Sequence, residues 1–336
     1  MTTKLTEEEI RPKNLMTGQK VAALTDVGRL LTRYSEFVEV DCPACGVHRR
    51  TAQYSKNGLR YVRCEDCQTL YVSPRPTAEV LAWFYRDSPN YAYWNAHIFP
   101  ASEVSRRTRI FVPRVNRLLE ICARHQTRTD SLLEVGAGFG TFCAELMSRN
   151  VFKRVVAVEP TPGLAISCRE RGIEVLEMPI EEVTLQSTDL FDVVASFEVI
   201  EHLFSPLDFA LQMVRLLRPG GLLLLTCPNG QGFDIETLGP VSDTVDHEHL
   251  NYFNAASLEK MLRRVGLDVL ESFTPGLLDA ELVRNKVLEG SFDLSHQPFL
   301  KRVLLDGWEQ HGQAFQDYLI AQGLSSNLWV LARKPI

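Results

Sequence analysis

No stretch of the 336-residue sequence stays apolar for the roughly 18 to 20 residues that a membrane-crossing helix requires. The N-terminus, MTTKLTEEEIRPKNLMTGQK, mixes both charges and has no apolar h-region, so it does not read as a signal peptide. No internal repeat or low-complexity tract is present, which excludes a solenoid. A dense basic run is also missing, and the formal net charge of −6 argues against a general nucleic-acid binder. These absences leave a cytoplasmic chain with no membrane partner as the expectation. Hydrophobic residues at 45% and charged residues at 23% are ordinary for a globular protein. The length leaves room for one large domain and one or two small additions.

Charge is unevenly spread. Residues 42–114 hold 11 Lys/Arg against 5 Asp/Glu, a surplus of +6 that leaves −12 for the remainder. Such a surplus either faces a phosphate-bearing substrate or consists of solvated arginines.

Four of the eight cysteines come as CPAC (Cys42, Cys45) and CEDC (Cys64, Cys67), with 18 residues between the pairs. Two thiolates on a tight turn grip one side of a tetrahedral ion, and a second such knuckle closes the site. The intervening RRTAQYSKNGLRYVRC reads as a hairpin with an Asn57-Gly58 turn, so a zinc ribbon is expected with a structural Zn²⁺. Disulfides are disfavoured in a reducing compartment. The remaining cysteines, Cys122, Cys143, Cys168 and Cys227, sit singly in apolar patterns and read as core.

Residues 1–37 read as a loosely attached arm with one helix near GQKVAALTDVGRLLTRY, 38–75 as the ribbon, and 76–127 as a helical, aromatic-rich linker. Helices are expected near 77–86 and 103–125, the latter from the spacing of Ile110, Val115, Leu118, Leu119 and Cys122. Tyr91, Tyr93, Trp94 and Phe99 lie between them. From residue 128 to 336 the chain alternates short β runs with helices, the mark of a doubly wound α/β sheet. Its strands are SLLEVGA, RVVAVEP, IEVLEM, FDVVASFEV, LLLLTCP, LDVLESF and SNLWVLARK. Helices are expected from about Phe139, Gly163, Val183 and Pro206, and LRPGG reads as a helix stop and tight turn. The last strand returns late, after a helical insertion at about 275–325, which suits an antiparallel seventh strand.

LLEVGAGFG carries Gly136, Gly138 and Gly140 on alternate positions. A dinucleotide fingerprint places its third glycine three residues after the second, where Thr141 stands here. Glu134 precedes the glycines, suiting a ligand with an ammonium and a sulfonium better than a pyrophosphate. Glu159 ends the second strand, where a carboxylate can accept both ribose hydroxyls. Together LLEVGAGFG, VVAVEP, FDVVASFEVIEHL and LLRPGGLLLLTCPN resemble the class I S-adenosylmethionine-dependent methyltransferases, over residues 128–273 and the final strand. The resemblance implies a seven-stranded Rossmann-like sheet and S-adenosylmethionine as cofactor. It further implies that Glu134, Gly136, Ala137, Gly138 and Gly140 hold the methionine end, and Glu159 with Pro160 the ribose. Pro179 and Ile180 would border the adenine, and Phe197 and Glu198 would flank the transferring methyl.

Two clusters remain for the acceptor chemistry: Glu198, Glu201 and His202 in EVIEH, and Asp246, His247, Glu248, His249 and Tyr252 in DHEHLNYF. Both can reach the crevice at the C-terminal strand ends. Three readings stay open. His247 or His249 acts as general base. Alternatively, Glu198, Glu201 and His202 with a loop histidine bind a divalent cation, as in small-RNA 2′-O-methyltransferases that carry a similar face. Or the clusters only brace the backbone. The ribbon, core and HEHLNYF together resemble deoxysugar C-methyltransferases and methyltransferases associated with surface polysaccharides. That resemblance implies a sugar or nucleotide-sugar acceptor, with Tyr252 at the site; an RNA acceptor is the alternative. Where those C-methyltransferases carry a long C-terminal α/β domain, about 60 residues follow the sixth strand here, and Asp246 stands where they have an aromatic residue.

Overall fold

The computed structural model describes residues 5–336, so the first four residues of the arm lie outside it. The main sheet has seven strands in the order β10-β11-β8-β7-β4-β5-β6. In chain order these are β4 (Ser131–Val135), β5 (Arg154–Val158), β6 (Glu174–Leu176), β7 (Phe191–Phe197), β8 (Leu217–Pro228), β10 (Asp268–Phe273) and β11 (Asn327–Arg333). Residues of β4 and β7 are buried throughout, as an apolar run covered on both faces must be. β11 inserts antiparallel between β8 and β10, as the late return of the seventh run predicts. At the foot of the sheet Asp192 ties β7 to β4, accepting from the Ser131 amide at 2.9 Å and from Arg218 at 2.8 Å.

Helices α3 (Val112–Arg124), α4 (Thr141–Met147), α5 (Pro162–Glu170) and α6 (Pro206–Leu216) flank the sheet. α3 buries Val115, Leu118, Ile121 and Cys122, one stripe at helical spacing. The helix expected near Val183 does not form; residues Ile180–Glu182 make a single 3₁₀ turn instead. After Val183 the apolar positions Leu185 and Leu190 lack helical spacing, and Ser187, Thr188 and Asp189 favour a turn. LRPGG is also not a free turn. It lies inside β8 as a bulge, with the register passing from Phe191↔Leu217 to Val193↔Leu222 and Gly220 at φ +78°.

The cysteine segment forms the expected hairpin, β1 (Arg50–Lys56) and β2 (Leu59–Cys64), with Asn57 and Gly58 both at positive φ as a two-residue turn requires. Two further strands extend it to the order β1-β2-β3-β9. β3 is Leu70–Val72; β9 is Asn251–Tyr252, contributed by the HEHLNYF segment. Cys42, Cys64 and Tyr71 therefore belong to the same hydrophobic core as Leu133, Leu225 and Phe253. Ribbon and main domain are welded.

The arm is also fixed. Its helix α1 (Lys13–Leu31) buries Asp26 and Leu30 and lies on the linker that follows α2 (Ala78–Arg86). The linker helix runs through two π turns, Trp94–Ile98 and Arg107–Phe111, before α3. Helix α7 (Ala255–Arg264) precedes β10, and α8 (Asp279–Leu288) and α9 (Trp308–Ala321) fill the insertion.

Candidate functional site

The glycine loop leaves β4 with all three glycines at positive φ: +79°, +55° and +71° for Gly136, Gly138 and Gly140. A Cβ at Gly136 would come within 2.5 Å of Val199, and one at Gly140 within 2.6 Å of Ile173. At Gly138 nothing stands within 4 Å of a built Cβ. Two glycines thus serve close packing, and the middle one borders open space. Ala137 is half-buried between them.

Glu134 is buried at the end of β4 and accepts from the Cys143 thiol at 3.0 Å. Burial pushes its carboxyl up to about 8, against the opposing pull of the Cys143 bond and Arg114. Glu159 is also buried, and accepts from the amides of Gly138 at 2.8 Å and Thr161 at 2.9 Å. Burial raises its pKa, and those backbone bonds oppose the rise. Beside it Pro160 is exposed; Pro179 is exposed as well, while Ile180 is buried in the core. Phe99 of the linker meets Phe139 of the glycine loop edge-on, ring centroids 5.4 Å apart. The Arg106 guanidinium lies 4.9 Å from the Phe99 ring, so the linker covers this end of the sheet.

At the end of β7, Phe197 packs on Phe142 and Trp329, with the Arg114 guanidinium 4.4 Å over its ring. It forms a wall. Glu198 follows at φ +57°, a conformation uncommon for a residue with a side chain and often met at functional sites. Its carboxylate accepts from Thr226 at 2.5 Å and Asn327 at 3.0 Å. Of the expected cation set, Glu198 is engaged by Thr226 and Asn327, while Glu201, His202 and a loop histidine, His249, come together with one donor atom from each within 4.8 Å of the others.

His249 Nδ1 lies 2.8 Å from the Thr244 carbonyl, which can only accept, so Nδ1 is the donor of that bond. His202 Nδ1 lies 3.2 Å from the Glu248 carbonyl and 3.2 Å from the Tyr85 hydroxyl. The His202 and His249 rings meet edge-on at 4.6 Å. Burial, reinforced by His249, lowers the His202 pKa to about 3, so it is neutral at physiological pH. Glu201 is 1% exposed, its Oε2 has no partner, and burial lifts its pKa well above the carboxylate range. His247 is buried too, with Nε2 unpartnered and 3.8 Å from Glu248. Tyr252 departs from its expected role. It is fully buried in the ribbon, its hydroxyl donating to the Thr244 carbonyl and accepting from the Asp246 amide, both at 3.2 Å.

Sequence reasoning passed over several neighbours. Asn90 donates to Glu248 at 2.5 Å and takes an amide contact into Asp26; Tyr85 reaches His202; Asn327 and Thr226 hold Glu198. None carries a local motif. The four cysteines do converge, with Sγ–Sγ distances of 3.4 Å for Cys42–Cys67 and 3.5 Å for Cys45–Cys64. Their ligand atoms lie within 4.8 Å of one another.

The sheet order, with its antiparallel seventh strand and acid-flanked glycine loop, is that of a class I methyltransferase fold. The family model described as "Methyltransferase domain" matches residues 104–272, and the chain belongs to that family. It is 31% identical over 148 residues to a protein of Mycolicibacterium smegmatis named "Probable S-adenosylmethionine-dependent methyltransferase", covering 43% of this chain and 54% of that one. It is 26% identical over 178 residues to the C-methyltransferase NovU of Streptomyces niveus, covering 51% and 41% respectively. With the tRNA U34 carboxymethyltransferase of Cellvibrio japonicus it shares 27% identity over 143 residues, covering 40% and 44%. The chain thus spans about half the length of the curated relatives it matches.

Proposed function

We propose that the chain transfers a methyl group from S-adenosylmethionine to a small polar metabolite, a sugar or nucleotide-sugar, with His249 as the general base. The observation that carries this reading is the contact of His249 Nδ1 with the Thr244 carbonyl, which leaves Nε2 outside that bond, together with the convergence of His249 with His202 and Glu201. Glu134 would meet the cofactor's ammonium. Glu159, already anchored by two amides, would keep free lone pairs for the ribose hydroxyls. Gly138 would leave room for the cofactor's approach. Methyl transfer from a sulfonium is an in-line displacement, so orienting the acceptor and removing its proton are the protein's tasks. His249 Nε2 would take that proton, and neutral His202 and Glu201 would line its path. His247 is the second candidate base.

A second reading is favoured by the orphaned Glu201 Oε2. Glu201, His202 and His249 form a two-histidine, one-carboxylate set that fits a divalent cation. Such an ion would acidify an acceptor hydroxyl. Separately, four convergent thiols fit a structural zinc with no open coordination position. The ribbon at 38–75, the linker at 76–127 and the domain at 128–336 are then one working unit.

Mass spectrometry of metabolite pools incubated with enzyme and deuteromethyl-labelled cofactor tests the assignment. A labelled sugar or nucleotide-sugar supports it, and label found only in RNA overturns the acceptor class. RNA binding would also show a steep salt slope that a sugar nucleotide lacks. Activity lost to chelation and restored by magnesium or manganese, but not by zinc alone, selects the cation reading.

A further inference from the structure

Part of the +6 surplus of residues 42–114 is taken up by ion pairs to carboxylates outside the segment. Arg50 and Arg60 meet Glu39, Arg63 meets Glu236 and Arg107 meets Glu145. Arg75 is different. It is 1% exposed and has no carboxylate partner among the described residues. Its Nε donates to the Val72 carbonyl at 3.0 Å, and its Nη1 to the Phe204 carbonyl at 3.1 Å and Asn251 at 3.0 Å. Its Nη2 has no acceptor. A buried guanidinium nitrogen without an acceptor is costly to leave unsatisfied.

Arg75 lines a groove of about 250 Å³ between the ribbon and α6. Ser205, Pro206 and Leu207 bring the N-terminus of α6 to the same groove. Pro206 has no amide hydrogen and Ser205 makes no side-chain cap, so the first turn leaves the amides of Leu207 and Asp208 without a backbone acceptor; the Asp208 carboxylate in that turn accepts from Ser205 Oγ at 2.6 Å and opposes an anion there. Arg264, the last residue of α7, closes the groove; its Nη1 donates to the Ala44 carbonyl, and among the described residues its Nη2 has no hydrogen-bond acceptor. The groove also touches two groups of opposite sign. Asp41 is held by His48 at 2.7 Å, and Cys42 belongs to the thiol cluster.

We infer that this groove binds a phosphate or diphosphate group of a small molecule. Two guanidinium groups and a helix N-terminus are the donor set an oxyanion needs. The volume is below the roughly 300–1,000 Å³ typical of pockets for drug-sized ligands, so it suits the anionic group and not a whole nucleotide. Asn251 connects the groove to the catalytic candidates. Its Oδ1 accepts from Arg75, and its Nδ2 donates to the carbonyls of Ile200, Glu201 and Leu203. The competing account is that Arg75 merely balances the charge of the ribbon thiolates. The inference does not rest on methyl transfer, and its test needs none.

The test is titration of the full, zinc-loaded chain with inorganic pyrophosphate by calorimetry, and separately with UDP-glucose. Arg75 clamps three elements and its replacement would confound folding, so the variants are Arg264→Gln and Ser205→Glu, the second placing a carboxylate at the α6 N-cap. Each should weaken pyrophosphate roughly tenfold to a hundredfold, as loss of a charged hydrogen bond implies. S-adenosylhomocysteine affinity should not change, which shows that each variant is still folded around the cofactor site. UDP-glucose competing with pyrophosphate would identify the anion as part of a nucleotide-sugar, and pyrophosphate binding alone would identify a free phosphate ligand. Absence of pyrophosphate binding at millimolar concentration, equal affinity in both variants, or variant-sensitive binding of single-stranded RNA without pyrophosphate would each overturn the inference.

Discussion

Glu134 shows how burial alone can make one residue report on ligand binding. Its carboxyl is pushed up to about 8 from 4.5 by desolvation, so between those values the folded chain holds a proton that the unfolded chain has released. The associated stability is fully present below about 4.5 and is lost as the pH rises through about 8. A cofactor ammonium beside Glu134 would favour the ionised form. Binding of S-adenosylhomocysteine near pH 7 should therefore release a proton, with affinity rising with pH across that window. Calorimetry in buffers of different ionisation enthalpy measures this directly, and identical proton release in Glu134→Gln would sink the assignment. The histidines make a sharper prediction. A lost general base lowers turnover roughly a hundredfold to ten-thousandfold. His249→Ala should show that drop with cofactor affinity intact, whereas a brace that merely supports the backbone would lower melting temperature and turnover together.

The elements differ in how far their neighbours could be foreseen. β4, the glycine loop and Glu159 are set by local pattern: a buried run, three turn glycines and a strand-end acid lie within one βαβ unit. The cysteine hairpin was equally legible, because the spacing of its knuckles and the Asn57-Gly58 turn are properties of one short segment. β9 was not. It is only 2 residues long, and what makes it a strand is its pairing of Leu70 with Tyr252 and Tyr71 with Asn251, from opposite halves of the chain. The same non-locality hid the Asn327–Glu198 bond, whose partners are 129 residues apart. It also explains Tyr252, an aromatic beside two histidines that looks catalytic in sequence and becomes ribbon core once β9 pairs. That pairing links the four-cysteine cluster to the loop. If the cluster holds the proposed zinc, removing a thiolate ligand costs the ribbon the folding energy the ion would supply, and β3 would then no longer hold β9 and the adjoining histidines. Cys64→Ser should lose zinc by metal analysis and lose turnover, while S-adenosylhomocysteine still binds. Full turnover in a zinc-free variant would separate the ribbon from catalysis.

At the scale of the whole molecule, the sequence displays the charge asymmetry but not how it is met: Arg50 and Arg60 meet Glu39 within the ribbon, whereas Arg63 and Arg107 fasten the N-terminal third to Glu236 and Glu145 of the remainder. Nor does it show that residues expected as a loose arm are packed. Asp26 explains the packing. Fully buried in α1, its carboxylate accepts from Ser88 at 2.5 Å, the Asn90 amide at 2.9 Å and Arg29 at 2.9 Å. Gln19 of the same helix donates to the Asn90 side chain at 3.0 Å, and Asn90 donates to Glu248 at 2.5 Å. A continuous hydrogen-bonded path therefore runs from the arm, across the linker, to the loop that carries His247 and His249. Asp26→Asn keeps the shape of the side chain, removes its charge and turns an amide toward groups that themselves donate. Asp26 is buried but Arg29 is partly exposed, so breaking the pair should cost more than the roughly 0–1 kcal/mol of an exposed pair and less than the roughly 3–5 kcal/mol of a fully buried one. The variant should lose stability on that scale in denaturant titration. Its turnover should fall while S-adenosylhomocysteine affinity holds, because Glu134 and Glu159 are untouched. Leu24→Ala, at a position of α1 that is 65% exposed, is the matched control and should change neither quantity. If Asp26→Asn behaves like that control, the path from arm to loop carries no energy, and the arm is only an attachment.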